Sequence, residues 1–244
     1  MERNVYHRLD QLEGEHWWFC ARRQILKSVI ARFAPQNKRL RLLEAGCGTG
    51  GNLRMLSEFG RLDAFELDDE ARVIARHKLS IDVKNGMLPD GIPFEPGSFD
   101  VVVAFDVIEH VERDVESLAK LCEQLAPGGR LMMTVPALPW LWSQHDVTHH
   151  HFRRYTRGQL DATLRRAGLE PVRISYFNTL LFPAIAAVRL FKKALGLKEA
   201  GDDSMPSAFI NGALMKIFGF ESNFVGRISM PIGVSLLAVA QRAP

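Results

Sequence analysis

Strands and helices are predicted to alternate along residues 41–136, and this alternation constrains the fold more than any other feature of the chain. Apolar runs predict strands at 41–45, 62–67, 99–105 and 130–135. The segments between them carry helical patterns at 52–59, 69–79 and 114–125. The run FDVVVAF is continuous and β-branched, as expected of a strand that is buried on both faces. Such an order predicts an α/β fold, a parallel sheet covered by helices on both sides.

The whole chain, 1–244, is predicted to form one domain, because a chain of this length with 47% hydrophobic residues can bury a substantial core. Its first part, 1–36, is expected to be a helical cap. After a strand predicted at 169–177, an apolar helical insertion is expected at 178–230. This insertion would cover the edge of the sheet or the mouth of the active site. The run GVSLLAVAQR is expected to be the last strand.

Composition narrows the classes of partner and the compartment. A net charge of +3, spread along the chain, does not call for nucleic acid, although a mildly basic surface suits peripheral contact with an anionic membrane. The three cysteines are unclustered, which favours a reduced, cytoplasmic protein without disulfides. The most apolar stretch, 177–191, is interrupted and falls short of the ~20 residues of a spanning helix. The start of the chain lacks the apolar core of a secretory signal.

A glycine-rich loop, EAGCGTGG, lies between the first predicted strand and the first helix after it. Gly46, Gly48 and Gly51 fit the pattern G-x-G-x-x-G, in which backbone without side chains approaches a ligand. A purely structural turn would also favour glycine here. Glu66, at the end of the second strand, is placed to accept hydrogen bonds from ribose hydroxyls. The neighbouring Asp68 is predicted to cap the next helix instead.

These motifs resemble the class I S-adenosylmethionine-dependent methyltransferases, whose first motif is E/D-x-G-x-G-x-G. The stretch LPDGIPFEPGSFDVVVAFDVIEHV is similar to a motif of the group that includes the ubiquinone-pathway enzymes, and PGGRLMMTVP is similar to the motif of their fifth strand. The resemblance implies a doubly wound, seven-stranded, mostly parallel sheet whose last strand runs antiparallel. It also implies S-adenosylmethionine as the cofactor.

The resemblance assigns residues to the cofactor site. It implies that the glycine loop faces the methionine part and that Glu66 binds ribose. The loop residues concerned are Glu44, Gly46, Gly48 and Gly50. Asp106 follows the fourth strand at the same edge of the sheet, where ligands of open α/β sheets bind. The family often has Asp after the third strand for adenine, whereas this chain has Met87 and Leu88. Met87 is expected to pack against the ring and to donate its backbone N–H.

The acceptor side is predicted from the run VPALPWLWSQHDVTHHHFRRYT, which is similar to a subset of bacterial methyltransferases. His145 and Asp146 are the predicted general base and its orienting partner, and His110 is a second candidate base. For each of these residues a structural role is an open alternative. One guanidinium of the RRY motif is expected to bind an anionic group of the acceptor, unless the motif only supports the loop. The aromatic residues at 17–19 are expected to form a lid or to pack in the core.

No metal site is predicted. Although His145 and His149 would share one face of a helix, the loop is rich in proline and gives no support for helical spacing. Chelators are therefore expected to leave activity intact. The leading function is O-methylation of a small or lipid-linked acceptor. The alternatives are a nicotinamide-dependent oxidoreductase, which would leave Glu44 unexplained, and a non-catalytic cofactor-binding protein. The oligomeric state is left open.

Overall fold

The protein, described by a computed structural model over residues 3–36, 39–195 and 204–244, alternates helices and strands as predicted. The helices are α1 (Arg3–Glu13), α2 (Trp17–Phe33), α3 (Leu53–Ser57), α4 (Asp69–Leu79), α5 (Asp114–Glu123), α6 (Gln144–Thr148), α7 (Arg157–Arg166), α8 (Phe182–Ala194) and α9 (Ala208–Gly219). The strands are β1 (Leu40–Ala45), β2 (Gly60–Glu66), β3 (Val83–Asn85), β4 (Phe99–Phe105), β5 (Leu125–Pro136), β6 (Leu169–Phe177) and β7 (Ser235–Arg242).

In the described part of the chain the strands form one seven-stranded sheet in the order β3-β2-β1-β4-β5-β7-β6. The strands from β3 to β5 pair in parallel, and β7 runs antiparallel to both β5 and β6. The strand order reverses between β1 and β4, the position at which open α/β sheets bind ligands beyond the strands' carboxyl ends. The predicted doubly wound, mostly parallel sheet with an antiparallel last strand is confirmed.

Strand β4 shows why the core has two halves. All seven of its residues are buried, and successive side chains point to opposite faces. Val101 and Val103 pack in the cluster formed with α2, α3 and α9, whereas Val102 and Ala104 pack in the cluster formed with α5 and α7. Helices thus cover both faces of the sheet, and the carboxyl edge of the strands is left for a ligand.

The start of the chain forms two helices. His16 begins α2 by accepting a hydrogen bond from the backbone N–H of Trp18. Helix α9, from the segment 178–230, packs beside α2. Their junction includes a hydrogen bond of 2.8 Å from the backbone N–H of Trp17 to Asn211 Oδ1 and an edge contact between the Trp17 and Phe218 rings. The described part of 178–230 therefore places α9 against the start of the chain.

The loop after β5 differs from the prediction, because Gln144–Thr148 forms the short helix α6. Ser143 and Asp146 form its capping box, which supplies the helix start that a proline-rich loop did not suggest. Helix α7 begins after Thr156, whose hydroxyl accepts a hydrogen bond from the backbone N–H of Gln159. Within the residues described, no helix combines the length and hydropathy needed to cross a bilayer.

Candidate functional site

A cavity of about 1090 Å³ opens at the carboxyl edge of β1, β2 and β4. Its floor includes the glycine loop, and one side is formed by α1 and α2. The loop that contains α6 and residues of α8 also line it. The cavity therefore joins the predicted cofactor region to the predicted acceptor region. Helix α8 lies at the same edge of the sheet as the glycine loop.

The glycine loop has a backbone that only glycine adopts easily. Gly46, Gly48 and Gly50 have φ angles of +66°, +52° and +84°. A Cβ on Gly50 would lie 2.8 Å from a methyl of Leu53, so close packing also requires glycine there. A Cβ on Gly48 would meet no atom within 4 Å, because this residue faces the cavity.

Glu44 lies behind this loop, and the cavity wall there is formed by Asn52. Asn52 Nδ2 donates to Glu44 Oε1 at 2.9 Å, while Glu44 Oε2 is buried without a hydrogen-bond partner. Burial raises the pKa of the Glu44 carboxyl to about 8, although the bond from Asn52 opposes the shift. Asn52 thus stands between the Glu44 carboxyl, predicted to hold the cofactor, and the cavity.

Glu66 lies at the end of β2 and lines the cavity. Its Oε2 accepts from the backbone N–H of Gly48 at 2.8 Å, and its Oε1 accepts from Leu67 and Asp68. A carboxylate has acceptor sites beyond these bonds, so hydroxyl groups can still donate to it. Asp68 caps α4 through the backbone N–H groups of Glu70 and Ala71, as predicted.

The segment after β3 differs from the prediction in one respect. The backbone N–H of Met87, expected to bind a purine, donates instead to Gly91 O at 3.0 Å. The Met87 side chain is 45% exposed and lines the cavity together with the buried Leu88. These two residues therefore offer apolar surface to a ring, and the backbone donor of Met87 is occupied.

Asp106 joins the end of β4 to α2. Arg22 Nη2 lies 2.5 Å from Asp106 Oδ2, and Thr134 Oγ1 donates to Asp106 Oδ1 at 3.0 Å. Arg22 Nη2 also donates to Thr134 Oγ1 at 3.0 Å. Asp106 has a φ of +56°, in the left-handed region, and it lines the cavity. Arg22 of α2, which follows the aromatic residues at 17–19, thus supplies a buried cation to the cavity wall.

Asp146 is fully buried, and its partner differs from the predicted one. Its Oδ1 lies 2.8 Å from His151 Nδ1 and accepts from Arg154 Nε at 2.8 Å, while its Oδ2 accepts from Ser143 N. Burial opposes ionisation, but His151 and Arg154 hold the pKa of Asp146 well below its usual range. Asp146 therefore orients His151 and not the predicted His145.

The histidines of this loop gather with His110 on one wall. The rings of His110 and His151 are 4.6 Å apart, and those of His145 and His149 are 4.2 Å apart. Burial, together with the nearby His151 and His149, lowers the pKa of His110 to about 3, so its ring is neutral. The adjacent Glu109 is buried, which raises the pKa of its carboxyl well above the usual value.

The RRY motif supports the loop. Arg153 Nη1 lies 2.7 Å from Asp114 Oδ2, and Tyr155 Oη donates to the same oxygen at 2.8 Å. Arg154 is buried against Asp146. One of the two arginines was expected to bind an acceptor anion, and both are engaged in loop contacts. Basic side chains also reach the cavity from α8, where Arg189 and Lys192 form part of the wall.

Sequence reasoning missed several residues of the cavity. Glu13 of α1 accepts from Thr49 Oγ1 at 2.8 Å and contacts Lys78 Nζ at 2.5 Å, which attaches α1 to the glycine loop. Glu109 and His151 were not singled out as site residues. The motif EH after β4 contained a signal for Glu109, because it places a carboxylate beside the predicted His110. No local pattern connects His151 to Asp146, since a chain reversal brings them together.

Comparisons with known proteins agree with this geometry. A family model described as a methyltransferase domain matches residues 18–174. A Mycolicibacterium smegmatis protein named "Probable S-adenosylmethionine-dependent methyltransferase" is 28% identical over 164 residues, which cover 65% of this chain and 62% of that protein. The chain thus spans about three fifths of that relative. A ubiquinone biosynthesis O-methyltransferase of Xanthomonas axonopodis pv. citri is 29% identical over 59% of this chain and 68% of its own length.

The fold also matches a solved structure along nearly its whole length. A chain from the Haloferax volcanii complex of the Trm112 methyltransferase activator with a methyltransferase aligns with a TM-score of 0.65, covering 99% of this chain and 95% of that one. The identity is 19%, so this likeness concerns the fold alone.

Proposed function

This chain belongs to the methyltransferase-domain family, and we propose that it transfers a methyl group from S-adenosylmethionine to an oxygen atom of a small or lipid-linked acceptor. The observation that carries the proposal is a continuous cavity, which joins the glycine loop and Glu66 to an apolar wall from α8. The family match favours this function over the nicotinamide-dependent alternative.

The residues of the cofactor half fit S-adenosylmethionine. Gly48 leaves space that a side chain would fill, and Glu66 presents its carboxylate to the same space. We assign Glu66 to the ribose hydroxyls and the apolar surface of Met87 and Leu88 to the adenine ring. The glycine loop would lie against the methionine part, with Asn52 held by Glu44 at its side.

Bound S-adenosylmethionine supplies an electrophilic methyl group on a sulfonium, so the chain has to bind the acceptor, orient it and remove its proton. We assign the acceptor to the space between the loop around α6 and helix α8. Ile185 and Val188 give this space an apolar wall, and Arg189 and Lys192 add positive charge. An apolar acceptor that carries an anionic group fits such a wall.

His145 is the general base that we propose. Its half-buried ring lines the acceptor half of the cavity and lies 5.8 Å, between ring centroids, from the His151 ring. His110, the second candidate, is a weaker base, because burial and the neighbouring His151 and His149 lower the pKa of its ring. Asp146 acts on this wall as a positioning residue, through His151 and Arg154.

A membrane-bound acceptor is supported by the surface of the segment 178–230. Phe191 and Phe209 are 64% and 87% exposed, and other apolar residues of α8 and α9 are exposed beside them. In the described part of this segment the basic residues Lys216 and Arg227 are exposed, and Glu221 is buried. Apolar and basic side chains together suit peripheral binding to an anionic lipid surface.

Two measurements on the purified chain test the proposal. Isothermal titration calorimetry should show one site for S-adenosylhomocysteine and no heat with NAD. Incubation with methyl-labelled S-adenosylmethionine and either a polar metabolite extract or a lipid extract should label one of the two. Binding of NAD in place of S-adenosylhomocysteine would contradict the cofactor assignment. Cofactor binding without labelling of either extract would contradict the assigned acceptor classes.

A further inference from the structure

Three side chains of metal-ligand type meet on the acceptor side of the cavity. Glu109 and His110 belong to a short turn after β4, and His151 follows α6. One ligand atom from each lies within 4.8 Å of the other two. We infer that Glu109, His110 and His151 form a binding site for a divalent transition metal, with Zn²⁺ as the best chemical match.

The surroundings of His151 fit a metal ligand. Its Nδ1 lies 2.8 Å from the buried carboxylate of Asp146, which leaves Nε2 for a metal. Histidines that bind metals almost always use the other ring nitrogen in this way, because the second contact fixes the orientation of the ring. The contacts from Arg154 and Ser143 in turn fix the Asp146 carboxylate.

His110 has the equivalent support from a different group. One of its ring nitrogens is hydrogen-bonded to the backbone of His149. Backbone carbonyls are, with carboxylates, the common partners of metal-bound histidines. Each of the two imidazoles is thus held in place through one of its own ring nitrogens, as expected of a histidine that binds a metal.

Glu109 provides an independent observation. It is 1% exposed, and its Oε2 is buried without a hydrogen-bond partner among the described residues. Its backbone is fixed, because its carbonyl accepts from Phe152 N at 2.8 Å. A buried carboxylate oxygen without a partner is costly, and a bound cation would offset that cost.

The donor set selects the class of metal. Two imidazoles and one carboxylate form the His₂Glu set of catalytic zinc sites, which keep a fourth position open. All three residues line the cavity, so the open position would face the acceptor space. Ligands 2.0–2.1 Å from zinc in a tetrahedron are about 3.4 Å apart, so small side-chain rotations have to bring the three atoms together.

The use of such a site rests on the proposed function. An acceptor hydroxyl at the open position would ionise more readily, because a bound divalent ion stabilises the oxygen anion. No metal was predicted from the sequence, because the histidines at 145 and 149–151 lie on one short loop that gave no support for helical ligand spacing. The fold instead combines possible ligands from two separate segments, the turn after β4 and the loop after α6.

The test uses the full chain after removal of metals with a chelator. Titration with Zn²⁺ should show one equivalent, and Co²⁺ should give the intense visible absorption of a site with four or five ligands. Glu109→Gln and His151→Ala should each weaken Zn²⁺ binding at least 10-fold. His150→Ala, which changes an exposed histidine of the same loop, should leave it unchanged. Circular dichroism and thermal unfolding would check that every variant is folded.

Two results would overturn the inference: no stoichiometric Zn²⁺ binding by the wild-type chain, or equal binding by wild type and both ligand variants. Titration of the same samples with S-adenosylhomocysteine separates this test from that of the proposed function. Metal binding without cofactor binding would reject the function and retain the site. Cofactor binding without metal binding would reject the metal site and retain the proposed function.

Discussion

Glu44 and Glu66 are close in the sequence motif but have opposite surroundings. Glu66 faces the cavity and accepts three backbone N–H groups, whereas Glu44 is buried behind the loop with one free oxygen. Hydrogen bonds to a carboxylate favour its charged form, and burial disfavours it. Substitution of Glu66 is therefore expected to affect cofactor affinity, and substitution of Glu44 the pH dependence of stability.

Replacing Glu66 by alanine should weaken the binding of S-adenosylhomocysteine by about 1–3 kcal/mol, because the ribose hydroxyls would lose a charged acceptor. Calorimetry at neutral pH measures this change. Asp68→Ala is the matched control: it removes the cap of α4 and should lower stability by about 1 kcal/mol with little effect on affinity. Equal losses of affinity in the two variants would argue against a ribose contact at Glu66.

Replacing Glu44 by glutamine should change the pH dependence of stability. The folded chain holds the Glu44 proton up to about pH 8, whereas the unfolded chain releases it near the ordinary value of 4.5. Wild-type stability therefore falls between these pH values, because the folded state binds more protons. The variant should gain a few degrees in Tm relative to wild type as the pH rises from 5 to 8.

A Tm difference that stays constant over this range would contradict the prediction. Affinity for S-adenosylhomocysteine should change less in Glu44→Gln than in Glu66→Ala. The reason is that Asn52 forms the cavity wall, and a glutamine oxygen can still accept the hydrogen bond from its amide.

Replacing His145 by alanine should lower turnover by about 10²–10⁴-fold, the usual contribution of a general base. Affinity for S-adenosylhomocysteine should barely change, since the base contacts the acceptor. Gln144→Ala, on the exposed side of the same short helix, serves as the control. Normal turnover of the His145 variant, measured with the acceptor found in the labelling experiment, would remove His145 from the mechanism.

At the scale of elements, the sequence predicted those whose ends carry local signals. Helix α4 has the predicted bounds, because Asp68 caps its start and Ser80 ends it in a left-handed conformation. Strand β4 has the predicted bounds because its run of apolar residues is continuous. Helix α6 is too short for periodicity to reveal. The pairing of Asp146 with His151 depends on the turn after that helix, which no spacing in the sequence specifies.

Helix α1 is attached to the glycine loop through Glu13, and removal of the Glu13 carboxylate should loosen this contact. Glu13→Ala would break the hydrogen bond from Thr49 and the ion pair with Lys78. We expect faster hydrogen exchange in α1 and several-fold weaker binding of S-adenosylhomocysteine. Glu15→Ala removes an exposed carboxylate just beyond α1 and should change neither quantity. Unchanged exchange in the Glu13 variant would show that other contacts hold α1.

At the scale of the whole molecule, exposed apolar residues are expected to bind the chain to anionic vesicles. The double variant Phe191→Ser and Phe209→Ser should reduce co-sedimentation with phosphatidylglycerol vesicles at least several-fold, because both rings are exposed. Val73→Ser removes an apolar residue of α4 that is 51% exposed, and should have no effect. Equal loss of vesicle binding in the double variant and in Val73→Ser would contradict a docking role for the segment 178–230. Absence of vesicle binding by the wild type would contradict it as well.

The position of β7 in the sheet has a consequence for biosynthesis. This strand leaves the ribosome after all the others, yet it pairs with both β5 and β6. The contact of Trp17 with Asn211 likewise joins one of the earliest helices to one of the latest. A chain released after residue 177 would carry the glycine loop but neither the strand that connects β6 to the sheet nor the part of the acceptor wall that α8 contributes. During synthesis, β6 can therefore join the sheet only after β7 has been made, and the cavity gains its α8 wall only after residues 182–194 have been made.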